Sequence, residues 1–518
     1  MINVPLDFHT LSQGQVINPV AKLYISFLKD KRNDVEYFTL DQSQLDGNDL
    51  LGSSEDNPIQ LWDTYNYFDF SDRLIGLSIE RSIEFPYNTQ AAMCDLTLDN
   101  YDNYFTPGKG STIDQYNLPR RPLKVYAGFK TMSVIPQFVG ITQHMPDVNS
   151  KSGTVDYHAT DFLSEIAEQT LNDTIAMREV RTNEVLAKIV EQFGVLPSQY
   201  SFEQGDNIIP FVFFDVGQNA GEAIRQLVQA ENGKFWLDEM GILRFQKRYS
   251  ATPEPVFSIS DYSIVSVEPK GTSDIINHVK ISCELREVQE YQTVYSKRSS
   301  GDSTSNLWVV GAGQSISRAC KLEDPCYDVV NPTIGKSSAV SWFTAKNVGG
   351  TEVTTGITAT GVLSTNAYTI TFTNNNIFPV EIDEVELWGE PAKVYDFLDF
   401  DAYDDESVEK YGEQILEITN NPFFQSYAQA ESFAMYMLRD RANYNQTLNL
   451  EIKGDFALQL GDSIEIAEGD YQGNYIVDSI KWNLGVGRLD TQIKVHKFEP
   501  VNFFILDQSQ LDGPDVLA

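Results

Sequence analysis

Apolar and polar residues alternate with a period of two through much of this chain. Leu77, Ile79 and Arg81 alternate with Ser78 and Glu80, and Leu96 and Leu98 with Thr97. Leu123, Val125 and Ala127 alternate with Lys124 and Tyr126. The pattern predicts half-buried strands over residues 19–30 and 73–166. Residues 31–72, between them, are polar and aromatic. From 167 to 250 the period lengthens. Thr182 precedes Val185, Leu186, Ile189, Val190 and Phe193 on one helical face, with Gly194 as the stop. Asn219, with Glu222 three residues on, starts a second helix through Ile224, Leu227 and Val228 that Gly233 closes. Lys234–Leu237 and Ile242–Phe245 flank Asp238-Glu239-Met240-Gly241, a hairpin signal.

Residues 251–395 return to β patterning. Val279, Ile281 and Cys283 alternate, and residues 330–390 are rich in Thr, Val, Ile and Asn, which predicts a sandwich. The acidic stretch 396–406 is expected to be a solvated linker. A calcium loop needs alternating ligands and a turn glycine, and Phe397, Leu398, Phe400 and Tyr403 break that pattern. In 407–500, Ser426 and Gln429 form a capping box before Ala430, Phe433, Ala434, Met437 and Leu438 at helical spacing. Strand patterns follow it to about Val495. The fold class expected is α+β and predominantly β: several β-barrel or sandwich domains with a small α+β domain in the middle. The expected divisions are 1–72, 73–166, 167–250, 251–395 with an insertion at 330–390, the linker 396–406, 407–500 and 501–518.

One peptide occurs twice. Residues 38–51 and 504–517 are identical at 11 of 14 positions without gaps, at an offset of 466 residues. Solenoid repeats recur every few dozen residues, and this does not. Identity across exposed-type residues such as Gln42 and Gln44 points to a shared docking role. Leu40, Leu45, Leu506 and Leu511 are expected as pocket anchors. Gly47 and Gly513 permit a turn, and Asp46 and Asp512 cap backbone amides there. Phe38 and Phe504 open the two copies. The rival reading is that each copy packs on its own chain as an ordinary turn.

The chain's 518 residues are enough for three or four domains. Its 38 basic and 74 acidic residues give a net charge of −36. Such a surface repels DNA and anionic lipid, which argues against sequence-specific nucleic-acid binding. It suits equally a wall past which DNA slides and plain solubility. Cys94, Cys283, Cys320 and Cys326 have no zinc-knuckle spacing, and Cys320 and Cys326 are expected as free thiols, with a small loop disulfide as the alternative. The N-terminus lacks the basic and apolar regions of a signal peptide. No apolar run is long enough to cross a bilayer, so no membrane anchor is expected.

A search for chemistry finds little. His9, His144, His158, His278 and His496 show no helical ligand spacing. His278 and His496 lie in strand-like runs and are expected as hydrogen-bonded structural residues. There is no nucleophile elbow and no P-loop, and Gly311-Ala312-Gly313-Gln314 lacks the third glycine of a dinucleotide loop. Asp99-Asn100-Tyr101-Asp102-Asn103 is expected as a turn that closes a strand. The expectation is therefore a protein that is not an enzyme, with no catalytic, cofactor or metal site.

Several segments together resemble the tail-tip or baseplate hub proteins of tailed bacteriophages. They are Trp62 to Leu74; Ala92 to Pro107 around Leu96-Thr97-Leu98-Asp99-Asn100; and Arg121-Pro122-Leu123-Lys124-Val125 before Phe138-Val139-Gly140. Gly233 to Phe245, Ile276-Asn277-His278-Val279, Asn420-Asn421-Pro422 and Leu460-Gly461-Asp462-Ser463-Ile464 continue the order. The repeated peptide is similar to one of phage tail proteins. The resemblance implies a structural virion protein: a homotrimer whose first and last β domains, here 19–30 with 73–166 and 407–500, join in a ring of pseudo-sixfold symmetry. It implies as partners a distal tail protein or tail-tube hexamer, the tape measure protein, tail fibre or other tip proteins, and genomic DNA that passes without specific binding. It places the chain in the phage tail tip of the virion, assembled in the host cytoplasm. Two rival readings stand beside it: a glycan depolymerase, and a carbohydrate-binding adhesin resting on the 330–390 insertion.

Overall fold

The computed structural model describes residues 19–27, 67–83, 89–130, 133–248, 255–259, 264–269, 275–297, 308–365, 367–395, 397–442, 447–467, 470–485 and 488–497. These form a predominantly β, α+β chain with three hydrophobic cores.

The N-terminal β module contains β1 (Pro19–Ile25), β2 (Leu74–Ser82), β3 (Met93–Asp99), β4 (Pro122–Phe129), β5 (Ile135–Thr142), β6 (Asp147–Asn149) and β7 (Thr154–Asp161). Its strands pair in the order β1–β4–β5–β7–β3–β2, with β6 also on β7. β1 crosses the chain to lie antiparallel on β4, Leu23 opposite Val125. The period-2 pattern puts Leu23, Leu96, Leu98, Val125 and Tyr157 inside. Gly140 is where β5 passes β7 too closely for a side chain: a Cβ there would lie 2.2 Å from the Thr160 carbonyl oxygen.

A middle body follows, with helices α1 (Thr182–Glu191) and α2 (Ala220–Glu231). Thr182 is the first helical residue and not the cap. The Glu184 carboxylate accepts the Arg181 N–H at 2.8 Å, and the Thr182 hydroxyl donates to buried Glu231. Asn219 caps α2 by accepting the Glu222 N–H at 2.8 Å. α2 ends at Asn232, which takes the left-handed conformation with φ 51°. Gly233 is needed instead for a close approach, since a Cβ would sit 2.7 Å from the Phe245 ring.

The C-terminal β module consists of β8 (Phe257–Ile259) and β9 (Ile264–Pro269), then, far along the chain, β14 (Thr447–Lys453), β15 (Ser463–Ile466), β16 (Gly473–Gly485) and β17 (Arg488–Lys497). Residues 257–269, expected in the peripheral domain, therefore belong here. β8 lies on β15 and β9 on β14, pairings between strands about two hundred residues apart that no local pattern encodes. Between β9 and β14 the chain makes an inserted domain and returns. The insertion has its own core, from Val310 to Leu387, so it begins before the expected 330, and its last strand runs on to Val394. Its strands include β10 (Ser315–Lys321), β11 (Ile357–Ser364), β12 (Ala367–Asn374) and the long β13 (Val380–Val394).

Two further expectations are corrected. The acidic stretch is not a linker: Leu398–Tyr403 is a strand, antiparallel to His278–Cys283. Phe400 is buried while Asp399 and Asp401 face out, so Phe400 is the inner phase of a strand, and Phe397, Leu398 and Tyr403 are exposed. The helix α3 (Tyr427–Arg441) does not pack on the C-terminal module. Its face of Ala430, Phe433, Ala434 and Met437 joins the core of the middle body, beside Val279, Ile281 and Phe424. Among the described residues no helix is long and apolar enough to cross a membrane.

Candidate functional site

The two β modules are one continuous sheet and share one core. β2 lies antiparallel along β16, from Leu77 opposite Leu484 to Ser82 opposite Ser479. Leu96 and Val125 from one side and Leu450, Ile480, Trp482 and Val495 from the other belong to the same buried cluster. The Phe456 ring sits between Phe129 and Trp482, 5.4 Å from each ring centre. Gln137 of β5 donates to the Phe456 carbonyl at 2.7 Å.

The pairing order of the C-terminal module is β8–β15–β16–β17–β14–β9. Strand for strand this repeats β1–β4–β5–β7–β3–β2, with β9 in the place of β2 and the single long β16 in the place of β5 followed by β6. One difference is that β8 runs parallel to β15 while β1 runs antiparallel to β4. At the seam, β2 occupies the half of β16 that β15 leaves open. In the N-terminal module the equivalent place lies along β6, which has β7 as its one strand neighbour among the described residues. β9, the counterpart of β2, likewise has only β14. Each module thus has an edge strand and a place that receives one, and only one of the two unions is made within the chain.

A buried charged group fixes the seam. Arg81 Nη1 of β2 donates to Glu239 Oε1 at 2.7 Å, and both side chains are 3% exposed. Glu239 stands at the tip of the Lys234–Gln246 hairpin of the middle body. It also accepts from Gln459, just before β15. The hairpin tip is rigid because Asp238 accepts the Met240 and Ile242 N–H groups at 2.9 Å each and pairs with Arg244. Three parts of the chain therefore meet on one ion pair. An ion pair taken so fully out of water holds only while both partners remain, since either alone leaves an uncompensated buried charge. Nearby, Asp161 ends β7 and caps the next helix, accepting N–H groups of Ala92 (2.8 Å) and Leu163 (3.0 Å). Burial pushes its carboxyl up to about 7, against the opposing pull of those donors and of Arg81. At the same end of the seam, just past Ser82 opposite Ser479, Asp478 of β16 accepts from His496 at 2.5 Å and pairs with Lys234 at 3.4 Å. Burial alone would raise its carboxyl; His496, Lys234 and Arg441 outweigh it and hold Asp478 below the usual carboxylate range.

Arg81 is the one seam residue with a sequence signal. It stands in the apolar phase of β2 with Leu77 and Ile79, and a charge in a buried phase demands a partner. Glu239 reads as an ordinary turn residue, and Gln137 and Gln459 carry no signal. The docking residues Phe38, Leu40, Leu45, Asp46 and Gly47, and Phe504, Leu506, Leu511, Asp512 and Gly513, lie outside the described residues. His278 bonds Asp401 and Glu413, and His496 bonds Asp478, as structural histidines do. All four cysteines are free and buried, and burial pushes the Cys320 thiol up to about 11. Asp99–Asn103 is a turn: buried Asn100 accepts the Phe105 N–H at 2.9 Å, and Asp102 pairs with Arg73. Among the described residues no group of three His, Cys, Asp or Glu side chains is placed to hold a metal ion.

No protein-family model matches the chain, and no curated protein matches it. Solved structures are similar to it. One is the tail protein from Neisseria meningitidis, with TM-score 0.46 and 9% identity over 83% of this chain and 94% of that one. The 43 kDa tail protein of prophage MuSo2 from Shewanella oneidensis gives 0.44 and 10% over 82% and 94%. A third, the prophage tail protein gp18 from Listeria monocytogenes, gives 0.41 and 9% over 84% and 91%.

Proposed function

We propose that the chain is a structural component of a phage tail tip and not an enzyme: a homotrimeric hub that joins a tube or ring of sixfold symmetry to the host-facing tip. The observation that carries this reading is the repeated pairing order with one union made and one open. β2 of the first module lies on β16 of the second within a chain. β9 of one chain lies in the same way along β6 of the next. Such a head-to-tail contact is heterologous, and it closes into a ring when the rotation per chain divides the circle. Three chains of two modules give six near-equivalent modules around one axis. The net charge of −36 lets DNA pass the central channel without adhering. The two copies of the repeated peptide, two per chain and six per ring, dock into equivalent grooves of the neighbouring ring protein.

Val265 tests the reading. It lies at the irregularity of β9, where the register steps from Ile264 to Ser266, so it has no partner on β14, and it is 63% exposed. Proline is tolerated at bulges and edge strands, so there it disturbs the outer edge of β9 while leaving the paired positions of the ladder in place. Mass photometry is expected to show a trimer for the parent and monomers for Val265→Pro with an unchanged circular dichroism spectrum. A stable monomeric parent overturns the hub. A trimer that Val265→Pro leaves intact overturns the β9–β6 contact. Removal of residues 501–518 is expected to spare the trimer and block its attachment to a tail; full attachment without them refutes docking by that copy.

A further inference from the structure

In a chain of which 22% of residues are charged, residues 353–380 contain no Asp, Glu, Lys or Arg, where about six would be expected. The stretch forms β11, β12 and the turn before β13, and with β10 it makes a three-stranded sheet, β10–β12–β11. One face of that sheet covers the core of the insertion through Ile357, Tyr368, Ile370 and Phe372. The opposite face is open and hydroxylated. Its first row across the strands is Ser315, Thr373 and Thr358, and its second is Ser317, Thr371 and Thr360. A third row, Ala319, Thr369 and Val362, ends the array. Seven of these nine positions carry a hydroxyl and none a charge. Sheet geometry spaces them by roughly 5 Å across the strands and roughly 7 Å along them. Ser315 and Thr373 share a hydrogen bond of 2.9 Å, and Ser317 and Thr371 one of 2.8 Å.

At the first row the array runs into an apolar tip. Ile377 is 95% exposed and Phe378 39%. The tip is held firmly. Asn374, fully buried, donates to the carbonyls of Val310, Gly311 and Phe378 and accepts the Asn376 N–H at 3.0 Å. The other end is fastened to the middle body, where the Thr365 N–H donates to Asp215 at 2.9 Å and Arg178 pairs with Glu390 at 2.6 Å.

We propose that this hydroxyl array and the adjoining Ile377–Phe378 tip form a binding surface for a neutral polysaccharide. A sugar ring has an equatorial rim of hydroxyls, each both donor and acceptor, and an apolar face of C–H bonds. Serine and threonine hydroxyls match the rim in kind. Exposed Phe378 and Ile377 match the face. Threonine in a strand has few side-chain conformations to lose on binding. Protein interfaces place Trp, Tyr or Arg anchors at their centre, and the array has none. A polyanion would be repelled by the net charge of the rest of the molecule, while a neutral polymer would not be; Lys321 stands on the same face one row beyond the array. The surface is independent of the hub reading, since it lies wholly on the insertion.

The test is native affinity electrophoresis of the whole chain in gels cast with dextran, laminarin or mannan, with polygalacturonate as the anionic control. Retardation is expected in at least one neutral polymer and not in polygalacturonate. The double variant Thr360→Val, Thr371→Val keeps the branched shape and removes the two most central hydroxyls, and Phe378→Ala removes the ring. Each is expected to weaken apparent affinity about tenfold with the parent's melting temperature. Retardation by none of the three neutral polymers, retardation by polygalacturonate, or retardation that both variants leave unchanged overturns the proposal and leaves the face to a protein partner.

Discussion

Glu239→Gln isolates what holds the two β modules at a fixed angle. The substitution keeps the side chain's size but removes the charge that faces Arg81, and its single carbonyl oxygen can accept from Arg81 or from Gln459 but not from both. The guanidinium, 3% exposed, then stays out of water without its partner, and such a loss costs about 3–5 kcal/mol. The cost falls where the two modules join, so it raises the population in which β2 and β16 separate. At about 1.4 kcal/mol per tenfold, the opening constant rises roughly a hundred- to a few-thousand-fold. Amide hydrogen exchange at Ile79–Ser82 and Ser479–Trp482, the paired residues nearest Arg81, is expected to accelerate by that factor, with the insertion's core unchanged. A double variant, Arg81→Met with Glu239→Gln, removes the orphaned charge and is expected to exchange more slowly than Glu239→Gln alone. A surface pair supplies the control. Arg225 and Glu222 are 2.6 Å apart, as close as the seam pair, but 50% and 40% exposed, and Glu222→Gln is expected to cost no more than about 1 kcal/mol. Exchange at the seam within about threefold of the parent in Glu239→Gln would refute the reasoning, because a buried charge would then have lost its partner at no cost.

Two further outcomes follow from the geometry. Burial raises the Asp161 carboxyl to about 7, against about 4 in the unfolded chain, so the folded state holds a proton the unfolded state has released. That contribution to stability is complete below about pH 4 and is lost as pH rises through about 7; melting temperatures measured from pH 5 to 8 are expected to fall more steeply in the parent than in Asp161→Asn, and equal slopes would exclude Asp161 as the titrating group. Asn374→Ala strips the donor from three carbonyls, that of Val310 buried and those of Gly311 and Phe378 part-buried, at a cost of about 1–3 kcal/mol. Because the insertion has a core of its own, calorimetry is expected to show one transition lowered and the rest unmoved, and a shift of every transition together would show that the insertion does not unfold by itself.

The sequence was legible where short-range physics decides. Asn219 and Ser426 cap the helices they precede, and the hairpin of residues 234–246 closes with Phe235 opposite Phe245. In each case the signal and the interaction that answers it lie within a dozen residues. The reading failed where partners are distant. Residues 257–269 look like more of the β region that follows them, and only pairing with Leu448–Ile452 and Ile464–Ile466 assigns them to the C-terminal module. The apolar face of α3 predicts that the helix is buried, not against what, and Leu398–Tyr403 hid a strand under its acidic composition. Arg81 lies between these cases: its place in an apolar phase announces a partner, while Glu239, 158 residues away, gives no sign of being it.

The amino-acid sequence by itself determined the local elements, the predominance of strands, the acidic surface and the two copies of one peptide, because period, capping and composition act within a turn or a strand. The tertiary structure alone decided that the two modules repeat one pairing order, that β2 completes β16 while β6 and β9 keep open edges among the described residues, and that one hairpin of the middle body locks the seam with a buried ion pair. Strand pairing is the reason for the division. A strand's own residues specify which side faces the core, and any strand can offer hydrogen bonds along either edge. Which neighbour takes each edge is settled only when the whole chain has folded and every buried group must find a partner.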